Sequence, residues 1–131
     1  MTHDTITLTL PPDREFQRVA HLVLGGLAVR LNLTLEALED LQLALDGLLD
    51  TGSAEQEVTL NLSVLPDAIE AWVGPFRGET VRRELELGGD GVGLRRVLDT
   101  VVDRVEVAER NGGDWVQLTK RIDAQKRSGL A

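Results

Sequence analysis

The stretch Gly88-Gly-Asp-Gly-Val-Gly-Leu-Arg-Arg-Val-Leu-Asp-Thr-Val-Val-Asp-Arg-Val-Glu-Val107 decides how this chain is read. Four of its first six residues are glycine, so the backbone there takes positive φ or approaches a ligand without a Cβ penalty. From Leu94 onward, Leu94, Val97, Leu98, Val101 and Val102 recur at helical spacing and form one apolar stripe. A glycine loop therefore feeds a helix start, where free N–H groups and the positive end of the helix dipole suit a phosphate. The plainer reading is that Gly88 to Gly91 only reverse the chain before a core helix. Residues elsewhere have to separate the two.

Composition narrows the field. The 131 residues form one domain, with a core over residues 5–122 and a polar tail over 123–131 that is expected to fray. There is no cysteine, which removes disulfides and thiolate metal sites, and His3 and His21 are too isolated to make a metal cluster. A net charge of -8 and a pI near 4.7 repel phosphate backbones, so nucleic acid is not an expected partner. No apolar run approaches the length of about 18 residues that spans a bilayer, and no basic segment precedes a signal-like core. The expectation is a cytoplasmic protein with no membrane contact.

Working outward along the chain, Ile6, Leu8 and Leu10 alternate with Thr5, Thr7 and Thr9, as in a half-buried strand that Pro11 and Pro12 end. Asp13 caps a long helix with Phe16, Val19, Ala20, Val23, Leu27 and Leu31 on one face. Gly25 and Gly26 inside it read as a place where the helix lies tight on a neighbour. Thr34 caps a second helix that buries Leu38, Leu41, Leu45, Leu48 and Leu49. Asp46 and Asp50, four residues apart on its other side, are either a metal or acid–base pair or simply a solvated face. Val58 to Val64 and Ile69 to Val73 read as a hairpin across Pro66-Asp67. Gly74 to Gly89, with weak alternation at Val81, Leu85 and Leu87, is a loop or an edge strand. Val105 and Val107, the turn Asn111-Gly112-Gly113, and Trp115 to Ile122 form a terminal hairpin. The order predicts an α+β two-layer sandwich, a mixed, mostly antiparallel sheet with helices on one face.

That order resembles the ATP-binding domain of the GHKL superfamily, and within it the small bacterial anti-sigma factor serine/threonine kinases. The resemblance covers residues 5 to 122 and is carried by Leu8-Thr-Leu-Pro-Pro-Asp-Arg-Glu-Phe16, Leu41-Gln-Leu-Ala-Leu45, Gly91-Val-Gly-Leu-Arg95 and Val116-Gln-Leu-Thr-Lys120. It implies a partner-switching regulator that holds a sigma factor and phosphorylates a STAS-type anti-anti-sigma protein with Mg-ATP, with a homodimer also in view. Family members carry on the second helix a Glu and, four residues later, an Asn that holds Mg²⁺. One register of this chain puts Gly47 and Thr51 at those positions and the next puts Asp46 and Asp50 there, so neither keeps the pair. The Asp that reads adenine is missing between Glu70 and Glu79, where Gly74 or Gly78 is the remnant. Gly91, Gly93 and Leu94 retain the glycine loop, and the Thr of the last strand is replaced near Asp114, which puts negative charge beside a nucleotide. The expectation is a regulatory binding module that holds ATP and Mg²⁺ weakly or not at all. The nucleotide remnants are then Gly91, Gly93, Leu94, Gly74 and Thr51. The alternative is an active kinase in which Asp46 and Asp50 serve as metal ligands, and a third reading is an unrelated α/β domain.

Overall fold

The computed structural model describes residues 4–52, 56–87, 93–110 and 112–122. The strands are β1 (Asp4–Leu10), β2 (Val58–Val64), β3 (Ala68–Phe76), β4 (Arg104–Arg110) and β5 (Gly113–Arg121). The helices are α1 (Gln17–Leu31), α2 (Leu35–Gly52), α3 (Thr80–Leu87) and α4 (Leu94–Val101). One sheet runs β1-β2-β3-β5-β4 and is antiparallel at every pairing, so the expected mostly antiparallel sheet has no parallel neighbours. The α1–α2 pair brings the chain back to the end of the sheet where β1 finished, which places Val58 opposite Leu10.

Alternation along the strands separates two faces. Ile6, Leu8 and Leu10 stand opposite Leu62, Leu60 and Val58, and that row continues through Ala71 and Val73 to Leu118 and Val116. These side chains form one core with Leu24, Leu27, Leu41, Leu45, Leu48 and Leu98 from the helices. The opposite face is polar: the Thr9 and Thr59 hydroxyls lie 3.0 Å apart, and the Arg110 guanidinium stacks 4.4 Å above the Trp72 ring centroid. A helix layer therefore covers one side only.

Three departures from the sequence reading have physical causes. Asp13 does cap, its carboxylate accepting from the Glu15 N–H at 3.0 Å, but the first turn, Arg14–Phe16, is a 3₁₀ helix. With three residues per turn it falls out of phase with α1, so Phe16 is 40% exposed, whereas Leu24 of α1 is fully buried. The stretch expected to be a loop or edge strand instead contains α3. Val81 and Leu85 are both buried and are four apart, the spacing of a helix face rather than of a strand. Gly25 and Gly26, read as a tight contact, face open space: a Cβ at either would meet nothing within 4 Å.

The helix ends follow local chemistry. Asn32 takes the left-handed conformation at φ 60°, and the N–H groups of Asn32 and Leu33 donate back to Val29 and Ala28, a Schellman closure. Thr34 Oγ1 accepts from the Ala37 N–H at 3.0 Å and starts α2. The expected hairpin turn holds Gly112 at φ 80°, while Asn111, the loop from Gly88 through Gly91 to Val92 and the tail 123–131 lie outside the described residues. Because Gly25 and Gly26 contribute no close packing, Gly25→Ala and Gly26→Ala are each expected to raise stability by about 1 kcal/mol. Thermal unfolding of the single and double variants measures this.

Candidate functional site at the α2–α3–α4 corner

The corner begins with what α2 lacks. Gly47 and Gly52 lie on its flank toward α4 and α3, and both are met by other side chains at close range. A Cβ on Gly47 would stand 3.1 Å from Leu94 Cδ1. One on Gly52 would stand 2.6 Å from Val81 Cγ2 and 2.7 Å from Phe76 Cε1. Leu94, Phe76, Val81 and Leu85 are all buried, so the corner between α2, the end of β3, α3 and α4 is filled with hydrocarbon.

A bulge in β3 aims Phe76 into that corner. Val73 faces Val116 and Phe76 faces Asp114, so β3 spends one residue more than β5 over the same span. Of the two residues between, Gly74 lies under the Trp115 ring: a Cβ there would come within 2.9 Å of Trp115 Cδ2 and of the Asp114 carbonyl. Gly74 pairs with Thr59, whose hydroxyl meets that of Thr9, and so belongs to the polar side of the sheet. Trp115 Nε1 is buried without a partner there.

Charge enters the corner through Asp114, the one buried charged residue among those described. Arg82 on α3 grips it in a fork, Nη2 donating to Oδ1 at 2.8 Å and Nε to Oδ2 at 3.2 Å, and Nη1 also reaches Glu86 at 3.4 Å. The hydrogen bond and charge of Asp114, with a smaller push from Glu86, raise the Arg82 pKa above its ordinary value. Arg82 is protonated at any working pH in either case. Glu84, two residues on, brings Oε1 to 3.7 Å from the Cβ position of Gly93, at the start of α4. A carboxylate there complements the α4 dipole and opposes a phosphate at the same end.

The candidate residues from the sequence divide between two flanks. Gly93 caps α4 with extended backbone, its carbonyl accepting from Arg96 and Val97, and Leu94 packs on Gly47. Thr51 Oγ1 donates to the Gly47 carbonyl at 2.8 Å. The register that pairs Gly47 with Thr51 thus faces α4, and the other faces α1. Asp46 Oδ1 lies 2.8 Å from His21 Nε2, and Asp50 Oδ1 accepts from Arg14 at 3.3 Å and Gln17 at 3.2 Å. Asp50 is exposed and Asp46 half-buried, so the two carboxylates lie at the solvent edge of the α1–α2 seam. Gly91 is outside the described residues. Among the described residues no group of three or more His, Cys, Asp or Glu is placed to hold a metal ion.

Sequence reasoning missed Arg82 and Phe76. The signal was present in Val81/Leu85 and Arg82/Glu86, two pairs at i, i+4 that mark a short amphipathic helix. On the far side of the helix layer, Lys120 Nζ donates to Asp40 at 2.8 Å and to the Val101 carbonyl at 3.0 Å, so the Val116 to Lys120 motif ties β5 to α2 and to the C-terminus of α4.

An antiparallel sheet covered on one face, with a glycine-capped helix set against a long second helix, defines a domain of the GHKL class. The solved RsbU and RsbW domains of a Mycobacterium tuberculosis protein share this fold at a TM-score of 0.67 with 13% identity, over 91% of this chain and 32% of that one. Serine-protein kinase RsbW of Listeria innocua is 30% identical over 145 aligned positions, covering 95% of this chain and 91% of its own. That of Halalkalibacterium halodurans is 28% identical, over 83% and 78%. The chain belongs to the RsbW serine-protein kinase family. No family model matches it.

The two corner glycines should respond differently to a methyl group. Gly47→Ala gains helix propensity and displaces only the end of Leu94, so its stability should stay within about 1 kcal/mol of the parent. Gly52→Ala drives into a buried ring and a β-branched side chain and should cost about 1 to 3 kcal/mol. Urea unfolding of both variants makes the comparison.

Proposed function

We propose that this protein is a cytoplasmic regulatory binding module of the anti-sigma type, acting by contact with a sigma factor or a STAS-type antagonist and holding ATP weakly or not at all. The observation that carries the reading is the filled corner. Phe76 and Val81 crowd the flank of α2 at Gly52, and Leu94 crowds it at Gly47, on the helix where the family resemblance places the Mg²⁺ ligand. The residues around it do not fit Mg-ATP. Thr51 is a modest Mg²⁺ ligand, Gly47 supplies no acid or base, and Glu84 puts a carboxylate beside Gly93 at the start of α4. The charge of -8 suits a partner with a basic docking segment and predicts salt-sensitive association. Among the described residues no helix is long and apolar enough to cross a membrane, which is compatible with this placement.

The relatives are named serine-protein kinases, which favours a second reading, an active kinase. In it Asp46 or Asp50 would have to leave His21 or Arg14 and turn toward α4 to reach a metal. Calorimetric titration of the purified chain with ATP and excess Mg²⁺ separates the readings. The binding module is expected to give no saturable heat below roughly millimolar nucleotide, whereas a Kd of about 1 μM, near −8 kcal/mol, overturns it. Asp46→Asn and Asp50→Asn would then tell which carboxylate holds the metal. Co-purification from the source cell without added nucleotide should bring down a sigma factor or its antagonist, and recovery of neither counts against partner switching.

A further inference from the structure

We propose that the outward face of α1 and α2 is a docking surface for a second copy of this chain, with α1 of each protomer lying on α2 of the other. The starting point is where apolar side chains reach solvent. Among the described residues every exposed large hydrophobic, Phe16, Leu22, Val29, Leu35 and Leu43, lies on the Arg14–Phe16 turn or on these two helices. Leu22 is 75% and Val29 84% exposed, and their spacing of i, i+7 puts them on one face of α1. Gly25 and Gly26 lie between them and leave a notch floored by bare backbone, where a Cβ would meet nothing of its own chain within 4 Å. A lone exposed leucine needs no explanation, but a row of such side chains beside a notch marks a contact surface.

Charge tells which partner fits. α1 carries Arg18, His21 and Arg30 and no carboxylate, while α2 carries Glu36, Glu39, Asp40, Asp46 and Asp50 and no Lys or Arg. A basic helix beside an acidic one is complementary to its own copy, as a two-fold interface requires. The levels along the helices agree. The Arg14–Asp50 and His21–Asp46 contacts show α1 and α2 running antiparallel, and a two-fold axis along their common direction keeps each level while exchanging one helix for the other. Counting from His21 and Asp46 at about 1.5 Å per residue sets Leu43 level with Leu22 to Gly25, and Glu36 level with Arg30. The second copy's Leu43 then enters the glycine notch between Leu22 and Val29, and its Glu36 stands opposite Arg30. Both Arg30 and Glu36 are exposed, and neither is ion-paired to another described residue.

Sedimentation equilibrium of the full chain without nucleotide tests the surface, and its outcome is independent of the ATP titration. The parent is expected to pass from monomer to dimer between about 1 and 200 μM. Gly26→Leu fills the notch at an exposed helical position with room for the side chain, so the chain should fold while dimerisation weakens by about tenfold or more. Arg30→Glu and Glu36→Arg each set like charges across the interface and should each weaken it. Mixed in equal amounts, those two variants restore opposite charges and should dimerise again, which a change in folding would not produce. A parent that stays monomeric to the top of the range overturns the proposal, as does a dimer that none of these variants weakens. A monomeric parent from which Gly26→Leu removes a co-purifying sigma factor or antagonist would give the face to that protein, and likewise overturns a second copy as its occupant.

Discussion

The contact of Phe76 and Val81 with the bare backbone of Gly52 is the constraint to which the helix layer is fitted. Any side chain at Gly52 would occupy the volume that the Phe76 ring now fills. That ring points inward only because β3 carries an extra residue before it, and the bulge in turn leaves Gly74 to be covered by Trp115 on the other face. With Phe76 in place, α3 has an apolar floor on which Val81 and Leu85 sit, and α4 closes the remaining side through Leu94 on Gly47. Close packing makes such a set of contacts cooperative, since a void or an overlap at one position is felt at the others.

Electrostatics follows from that packing and does not direct it. The chain is strongly acidic, yet several of the described carboxylates are answered by a specific donor. Asp114 is held by Arg82, Asp40 by Lys120, Asp46 meets His21, and Asp103 accepts from the Arg121 backbone N–H at 2.7 Å. These pairs tie elements far apart in sequence, α3 to β5 and α2 to β5 among them. The remaining negative charge is left to the surface. Glu84 brings a carboxylate near the start of α4, while that of Asp114 at the start of β5 is matched by Arg82.

Family membership and site chemistry point in different directions here. The fold is shared with the solved RsbW domain, and the chain is 30% identical to a serine-protein kinase of this family. A fold fixes where a site can be, while the chemistry depends on a handful of side chains. In this chain Gly47 and Gly52 on the flank of α2 are met by Leu94, Phe76 and Val81. Hydrophobic substitutions of suitable volume can fill a polar cavity without disturbing the layers around it, and such a filled cavity is more stable than a half-satisfied polar one.

The sequence by itself determined the sheet and the two long helices, because alternation at Val58 to Val64 and the caps at Asp13, Thr34 and Asn32 are local signals acting through nearest neighbours in the chain. It also carried the expectation that neither register, Gly47/Thr51 or Asp46/Asp50, keeps the Glu and Asn that the family resemblance implies. It did not decide between the registers, because adjacent residues on a helix differ by about 100° and periodicity alone does not say which neighbour each side meets. Only the tertiary structure turned Asp46 and Asp50 toward α1 and Gly47 toward α4. Helix α3 was legible only in part: Val81/Leu85 and Arg82/Glu86 mark it at i, i+4, but eight residues carry little periodicity against the glycines around them, and the contact of Arg82 with Asp114, 32 residues away, is not local. Contacts of that range belong to the folded chain and have no signature in local spacing.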